Sequence, residues 1–301
     1  MKGKFAIIKN AKIFVIISIL LCMTGLVSII ALPFGKNMYN LSIDFAGGTQ
    51  IEMNMHKEVT ADVSDEVAKL FEKETGVKPE APVATGDGKQ IVMVRSTSLD
   101  TEQRSKFIEA MKKQYKLTDD DLNKNEDVSA SVGSDLRHKA ILSAVVAIVL
   151  MMIYISFRFE LTSGLAAVCC LVNDILIMLS FYVILQIPFN QNFIAAALTI
   201  LGYSINASII VFDRIRENRK LARKETFEEI AEKSIWQTMG RTVNTTLTTL
   251  FTVVAIYVLG VSSIRDFTLP LIVGIISGAY SSIFLSSSLW CFFRKHLRKK
   301  A

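Results

Sequence analysis

Charged residues are almost absent from six long apolar stretches of this 301-residue chain, and that near-absence leaves little choice of fold. A helix rises about 1.5 Å per residue, so roughly 20 apolar residues cross the roughly 30 Å hydrocarbon core of a bilayer. Hydrophobic residues make up 51% of the chain and lie in blocks, whereas a soluble protein scatters them. The pattern predicts a multi-pass α-helical membrane protein with six transmembrane helices, near Ile13–Leu32, Ala140–Phe157, Ser163–Leu185, Asn192–Phe212, Thr242–Leu259 and Leu269–Phe293.

Basic residues near the ends of the spans predict the orientation. The N-terminus, the loop near residues 213–241 and the tail at 294–301 are rich in Lys and Arg, whereas Gln186–Asn190 carries no charge. Both termini and that loop are therefore expected on the cytoplasmic side. Membrane lipids with anionic headgroups explain the basic edges better than nucleic acid does. The basic residues are Lys2, Lys4, Lys9, Lys12, Arg214, Arg216, Arg219, Lys220, Arg223, Lys224, Lys233, Arg241, Arg294, Lys295, Arg298, Lys299 and Lys300.

The segment 1–35 is interpreted as a cytoplasmic N-terminus followed by an uncleaved anchor. Its apolar core is too long for a signal peptide, and a clear small-x-small cleavage site is missing after it. All four cysteines lie in predicted spans, so no disulfide is expected in the polar segment. The adjacent pair Cys169 and Cys170 does not have metal-ligand spacing.

Residues 36–136 are predicted to form an extracytoplasmic α+β domain between the first and second helices. From Lys36 to Asp135 there are 13 basic and 19 acidic residues, so this domain is acidic. The predicted element order, β-α-β-β-α-β, is that of a ferredoxin-like fold. The elements are a strand pair or long strand over Tyr39–Met55 broken at Gly47-Gly48, a helix over Thr60–Thr75, strands Val83–Thr85 and Gln90–Arg95 around the hairpin signal Gly86-Asp87-Gly88, a helix over Asp100–Tyr115 and a strand over Glu126–Val132.

No catalytic constellation is visible in this domain. His56 has no Cys or Ser partner nearby in the sequence and is interpreted as a surface histidine. Asp119-Asp120-Asp121 lacks the spaced ligands of a calcium loop, so a solvated acidic turn is favoured over a cation site. We expect no enzyme, no cofactor and no bound metal.

Ionisable residues within spans are costly and need a reason. Asp174 lies near the middle of the third span, and its two interpretations are ion handling and a polar bridge between helices. Arg241 begins the predicted fifth span and shares one helical face with Thr245, Thr248 and Thr252. Such a stripe is expected to face other helices or water, although Arg241 alone could snorkel to the interface.

The fourth span carries a similar line of Thr199, Gly202 and Asn206, with Asp213 seven residues later on the same face. A helix-packing seam that ends in a solvated carboxylate is the alternative to an ion pathway. The sixth span has small residues every four positions, at Gly274, Gly278, Ser282 and Ser286, which predicts close helix packing.

Five segments resemble motifs of the SecD/SecF family of protein-export membrane proteins, in the same order along the chain. They run from just after the first span to the last span, so the resemblance covers nearly the whole sequence. The segments are Asp44-Phe-Ala-Gly-Gly-Thr49, Gly202-Tyr-Ser-Ile-Asn206 with Val211-Phe-Asp-Arg-Ile-Arg-Glu-Asn218, Gly240-Arg-Thr-Val-Asn-Thr245, Arg265-Asp-Phe267 and Gly278-Ala-Tyr-Ser-Ser282.

The resemblance implies a six-helix half of a resistance-nodulation-division transporter in a bacterial cytoplasmic membrane. It implies an accessory subunit of the Sec translocase that works with SecD, the SecYEG channel, YajC-like subunits and the translocating polypeptide, driven by the proton motive force. Within it, Arg241 corresponds to a proton-pathway residue. Gly47 and Gly48, beside Asp44, allow either a hinge or a tight structural turn.

One position departs from the family pattern. The family commonly has Asp directly after the Asn of G-Y-S-x-N, but this chain has Ala207, which cannot titrate. Three explanations remain open: the partner subunit supplies the only carboxylate, which we favour; Asp174 or Asn206 takes a share; or the coupling ion is another one or absent.

Two other functions are weighed against this one. An exporter of lipids or small molecules from the same superfamily would call for a larger outer domain or a second one. A membrane-anchored sensor would need a single span, so five further spans with polar stripes argue against it.

Overall fold

The computed structural model describes residues 6–34, 38–222, 224–260 and 262–297, and these residues form two compact units. The sheet domain is Leu41–Ala140, and the membrane unit contains the described residues before and after it. Of the basic positions named above, Lys2, Lys4, Arg223, Arg298, Lys299 and Lys300 lie outside the described residues, as does Lys36 at the predicted domain boundary.

The sheet domain is a four-stranded antiparallel sheet with two long helices. The strand order β2-β3-β1-β4, with every neighbouring pair antiparallel, is the ferredoxin-like arrangement that the sequence predicts. Ile51, Met53, Val92 and Val94 of the sheet share one core with the helices. The elements are α2 (Ile43–Ala46), β1 (Gly48–Asn54), α3 (Ala61–Thr75), β2 (Val83–Thr85), β3 (Ile91–Ser96), α4 (Thr101–Tyr115) and β4 (Leu122–Val128).

Side-chain caps define the starts of the domain's helices. Thr60 caps α3, and Asp100 forms a capping box with Gln103 at the start of α4. Phe71 of α3 and Phe107 of α4 pack edge to face with ring centroids 4.7 Å apart. Both helices lie within a residue of their predicted bounds because caps and apolar spacing agree there.

Two predicted strands are wrong in part. The residues before Gly47 form the short helix α2, because the Ser42 hydroxyl accepts a hydrogen bond from the Asp44 N–H at 3.1 Å. The last strand, predicted at Glu126–Val132, runs from Leu122 to Val128, and a helix begins at Ala130. At both places a serine hydroxyl accepts a hydrogen bond from a backbone N–H at the start of the helix, and at the second place Ser129 accepts from Val132 at 3.4 Å.

Among the described residues, six helices are long and apolar enough to span a bilayer, and all of their residues except Ala130–Ala140 of α5 belong to the membrane unit. The sixth is continuous but includes one π-helical turn, and we call its three parts together the last span. The spanning helices are α1 (Ala11–Ala31), α5 (Ala130–Arg158), α6 (Leu161–Leu185), α7 (Gln191–Leu221), α8 (Phe227–Leu259), and the last span of α9 (Ser262–Tyr280), the π turn (Ser281–Leu285) and α10 (Ser286–Leu297).

The loop predicted near residues 213–241 is almost entirely helical. The helix α7 continues to Leu221, with Arg219 and Lys220 in its last turn, where positive charge stabilises a helix end. The helix α8 starts at Phe227, because Thr226 and Glu229 form a capping box. Arg241 therefore lies well inside α8 rather than at its start.

Apolar packing holds α6, α7, α8 and the last span together. Phe212 and Phe227 both pack edge to face on the indole of Trp290. The stripe of small residues in the last span also packs as expected: a Cβ added at Gly274 would lie 2.5 Å from Ile200, and one at Gly278 would lie 3.1 Å from Ser204. These close approaches confirm that the stripe lets the last span pack against α7.

The segment before α1 is tied to α8 by one carboxylate. The oxygens of Glu232 accept hydrogen bonds from the backbone N–H groups of Ile7 at 3.0 Å and Ile8 at 2.8 Å, and from the Trp236 indole at 2.9 Å. Two backbone donors are thus satisfied by a charged acceptor that is remote in sequence.

We expect Glu232→Ala to release the segment before α1. Hydrogen bonds to charged groups contribute about 1.5–3 kcal/mol, so amide exchange at Ile7 and Ile8 should accelerate roughly 10- to 100-fold. Hydrogen–deuterium exchange on the full chain measures this, and Glu228→Ala, an exposed position of the same helix, is the control. Equal exchange rates in the two variants would contradict the assignment.

Candidate functional site

The fully buried carboxylate of Asp174, on α6, lies among serine hydroxyls from two other helices. Ser204 of α7 donates to Oδ2 at 2.6 Å, Ser277 of α9 donates to Oδ1 at 2.6 Å, and Ser281 donates to Oδ2 at 2.9 Å. The exposed fraction of Asp174 is 0%, and among the described residues it has no ion pair. This carboxylate therefore joins three spans through hydrogen bonds.

The polar cluster extends from Asp174 toward α1. The Asn173 amide lies 3.4 Å from Asp174 Oδ1, and its own oxygen accepts hydrogen bonds from Ser18 and from the Cys22 thiol. Ser18, Cys22 and Asn173 line a cavity of about 300 Å³ whose other walls are mostly apolar. Asn173 thus connects the buried carboxylate to a cavity between α1 and α6.

A second polar arrangement lies on an exposed surface of the membrane unit. We define the polar face as Arg241, Thr245, Thr248 and Thr252 of α8 together with Thr199, Gly202 and Asn206 of α7. All seven residues are exposed in the isolated chain. Tyr203 joins the two helices, because its hydroxyl lies 3.3 Å from the Thr245 carbonyl and 3.4 Å from the Thr249 hydroxyl.

The hydroxyls of the polar face are satisfied within their own helices. Thr245 donates to the Arg241 carbonyl at 2.8 Å, and Thr252 donates to the Thr248 carbonyl at 3.2 Å. Such bonds back to the preceding turn let threonines occupy a membrane helix without other partners. The Arg241 guanidinium, by contrast, has no hydrogen bond or ion pair among the described residues.

The structure does not bring all the predicted site residues together. Asp213 pairs with Arg158 of α5 at 3.5 Å, so it belongs to an ion pair between helices. Asp174 is buried within the bundle, whereas Arg241, Asn206 and Thr245 lie on the polar face. The predicted set therefore divides into three separate places.

Ala207 does not lie on the polar face. It is 8% exposed, whereas its neighbour Asn206 is exposed. Adjacent residues of a helix point about 100° apart, which accounts for the difference.

Sequence reasoning missed two groups of residues. Ser277 and Ser281 are four residues apart, which places them on one face of the last span, and this spacing was the available signal. The second group centres on Glu160, which pairs with Arg219 at 2.6 Å and with Arg294 at 3.8 Å. No local pattern indicates these pairings, because the three residues are far apart in sequence.

The Asp44-Gly47-Gly48 motif forms a tight turn inside the sheet domain. Gly47 has φ +78° and Gly48 has φ +119°. A Cβ at Gly48 would lie 2.2 Å from the Ser96 carbonyl oxygen, and one at Gly47 would lie 2.9 Å from Ala130 Cα. Both glycines are therefore required for close backbone packing. This geometry favours a structural turn over a hinge.

Asp44 is one of three carboxylates near a half-buried arginine. Burial lowers the pKa of Arg95, and the negative charges of Glu80, Glu52 and Asp44 partly oppose that effect. The Arg95 Nε also donates to Gln50 Oε1 at 3.0 Å. Asp44 thus belongs to a charge cluster of the sheet domain.

His56 and the acidic turn form a structural contact. His56 Nε2 lies 2.5 Å from Asp121 Oδ1, and the Thr118 N–H donates to Asp121 Oδ2 at 2.7 Å. Hydrogen bonds from Thr118, with a smaller contribution from His56, lower the pKa of Asp121. His56 is exposed, as expected, but Asp121 is buried, so the turn is not fully solvated. Across the described ranges, no group of three or more His, Cys, Asp or Glu residues is placed to hold a metal ion.

Gly48→Ala should destabilise the sheet domain far more than Gly76→Ala. Both glycines have positive φ, but a Cβ at Gly76 meets nothing within 4 Å, whereas one at Gly48 collides with backbone. We expect about 1–2 kcal/mol for Gly76→Ala and about 2–6 kcal/mol for Gly48→Ala. The opening free energy of β1, from hydrogen exchange on the full chain, is the measurement. Equal losses of opening free energy in the two variants would show that the backbone contact at Gly48 is unimportant.

Two family models match the sequence. The model described as protein export membrane protein SecD/SecF, C-terminal, matches residues 107–296, and the SecD/SecF GG motif matches residues 40–59. The first covers more than half of the chain, and the second includes the turn at Gly47 and Gly48.

Relatives named protein translocase subunit SecF are similar over nearly their whole length. The protein from Acidaminococcus fermentans is 38% identical over 98% of this chain and 99% of its own. The protein from Alicyclobacillus acidocaldarius is 34% identical over 100% and 96%, respectively.

A crystal structure of SecDF, a translocon-associated membrane protein from Thermus thermophilus, has a similar fold. The TM-score is 0.84 at 34% identity, over 98% of this chain and 39% of the SecDF chain. The chain thus spans about two fifths of that protein.

Proposed function

Since the chain belongs to the SecD/SecF family of protein-export membrane proteins, we propose that it acts with a SecD-type subunit to promote protein export through the Sec translocase. The observation that carries this proposal is the polar face of α7 and α8. Seven exposed residues, among them an arginine and an asparagine, occupy a surface of helices that cross the membrane.

Contact with lipid acyl chains is unfavourable for the polar face. Polar groups on a spanning helix find no hydrogen-bonding partner in the acyl chains, and charged groups are costly there. A second membrane subunit with polar residues would remove this cost and enclose a polar pathway. SecDF relatives support such a partner, because in each of them the region that this chain matches is one part of a longer single chain.

An ion gradient, with the proton motive force as the favoured source, supplies the energy in this proposal. Arg241, Asn206 and Thr245 line the pathway, and the partner supplies the carboxylate that Ala207 cannot provide. Ala207 is buried off the polar face, and none of the seven residues of the polar face is a carboxylate, which supports this division between the subunits.

The protein resides in the bacterial cytoplasmic membrane with both termini on the cytoplasmic side. The uncharged connection Gln186–Asn190 and the basic residues around Arg219 and Arg294 support this orientation. The sheet domain then lies outside, where the translocating polypeptide leaves SecYEG, with YajC-like subunits as further partners.

Arg241→Ala should slow protein export several-fold in cells without lowering the abundance of the subunit, because the polar face loses its positive charge. Pulse-chase processing of a secreted precursor measures the rate, and immunoblotting measures the abundance. Arg241→Lys retains the charge and should restore part of the rate. Arg137→Ala, at an exposed arginine of the sheet domain, is the control. Normal export with Arg241→Ala would remove Arg241 from the mechanism, and a drug-efflux defect without an export defect would favour an exporter.

The polar face should contact the SecD-type subunit directly. A photo-crosslinking residue at Thr248 should capture that subunit in cells, whereas one at Leu20, an exposed apolar position of α1, should meet mainly lipid. Mass spectrometry of the crosslinked products identifies the captured protein. Lipid adducts alone at position 248 would contradict the proposed partner contact.

A further inference from the structure

A buried carboxylate without a counter-charge needs another way to be neutralised. Asp174 has no Lys, Arg or His ion pair among the described residues. The titratable groups that face it are thiols, Cys22 from α1 and Cys170 one turn earlier on α6. The helix α7 and the last span present only serine hydroxyls to its oxygens. In such surroundings a carboxylate is neutralised by taking up a proton or by binding a cation.

The three serine hydroxyls contact the carboxylate directly. The hydroxyl oxygens of Ser204 and Ser277 lie 2.6 Å from the carboxylate oxygens, and that of Ser281 lies 2.9 Å away. These are the distances of direct O–H···O hydrogen bonds.

Ser281 has a contact that suits both states of the carboxyl group. Its hydroxyl lies 2.9 Å from Asp174 Oδ2 and 3.2 Å from the Gly278 carbonyl oxygen. A serine hydroxyl has one proton to donate and two lone pairs that accept. When Asp174 is ionised, Ser281 donates to Oδ2. When Asp174 is protonated, its O–H donates to Ser281 Oγ and the Ser281 proton turns to Gly278. Neither state leaves Ser281 unsatisfied.

We propose that Asp174 is a reversible proton-binding site, in which three serines stabilise the ionised form and Ser281 also accommodates the acid. The site lies within the bundle, apart from the polar face of α7 and α8. Ser281 begins the π turn, so gain or loss of the proton acts where the last span leaves α-helical geometry. A contribution of this proton to export rests on the proposed function, whereas proton binding itself does not.

Infrared difference spectroscopy on the full chain in lipid nanodiscs tests the site directly. A protonated aspartic acid gives a carbonyl stretching band that isotope-labelled aspartate shifts and that Asp174→Asn removes. We expect this band to appear as the pH is lowered and to disappear when it is raised again, at constant sodium concentration.

Two serine variants test the hydrogen bonds around Asp174. Ser277→Ala removes a donor to the ionised carboxylate, so the band should persist to a roughly tenfold lower proton concentration. Ser282→Ala is the matched control, because its buried hydroxyl donates to the Ala279 carbonyl at 3.1 Å and not to Asp174. The control should titrate as the parent does. If Asp174→Asn does not fold, the comparison of Ser277→Ala with Ser282→Ala still tests the proposal. Identical titrations of the band in these two variants would overturn it.

Three spectroscopic results contradict the site. The band from Asp174 could be absent at every pH, which means permanent ionisation, or present at every pH, which means permanent neutrality. It could also disappear on addition of sodium at constant pH, which indicates a metal-ion site. Parallel export assays separate this inference from the proposed function. Slow export with Arg241→Ala and no titrating band would support the proposed function and contradict the proton-binding site. A titrating band with normal export in both Arg241→Ala and Asp174→Asn would support the proton-binding site and contradict the proposed function.

Discussion

The lack of hydrogen-bonding partners in lipid is the constraint on which the membrane unit depends. A charged or strongly polar side chain within a span is costly unless it finds a partner inside the protein or in a neighbouring subunit. The buried carboxylate of Asp174 is the strongest case, because three hydroxyls from α7 and the last span converge on it. Small residues make that convergence possible, since Gly278 lets the last span approach Ser204 closely.

The same constraint is met differently on the polar face. There the threonine hydroxyls bond to their own helix, while Arg241 has no partner among the described residues. One arrangement is complete within the chain, and the other calls for a second surface. Ala207 lies on the buried side of α7 and cannot titrate, and none of the seven residues of the polar face carries a carboxylate.

The sheet domain obeys the rules of a soluble fold. Its helices are capped by Thr60 and Asp100, and its apolar residues form a single core. The turn at Gly47 and Gly48 is tight because the Ser96 carbonyl and Ala130 Cα leave no room for a side chain. The family motif at this place is therefore explained by backbone packing.

The sequence by itself determined the six spans, the ferredoxin-like order of the sheet domain and the stripe on which Arg241, Thr245, Thr248 and Thr252 lie. These features follow from composition and from the 3.6-residue period of a helix, both of which are local. The sequence pattern predicted a strand where α2 forms and a loop where α8 begins before Arg241, because the helix caps at Ser42 and Thr226 outweigh the pattern of apolar residues there. Only the tertiary structure decided that Asp174 meets Ser277 and Ser281, that Asp213 pairs with Arg158, and that Ala207 is buried. Each of these depends on which faces of separate helices meet, and contacts between residues tens to more than a hundred positions apart leave no periodic signal in the sequence.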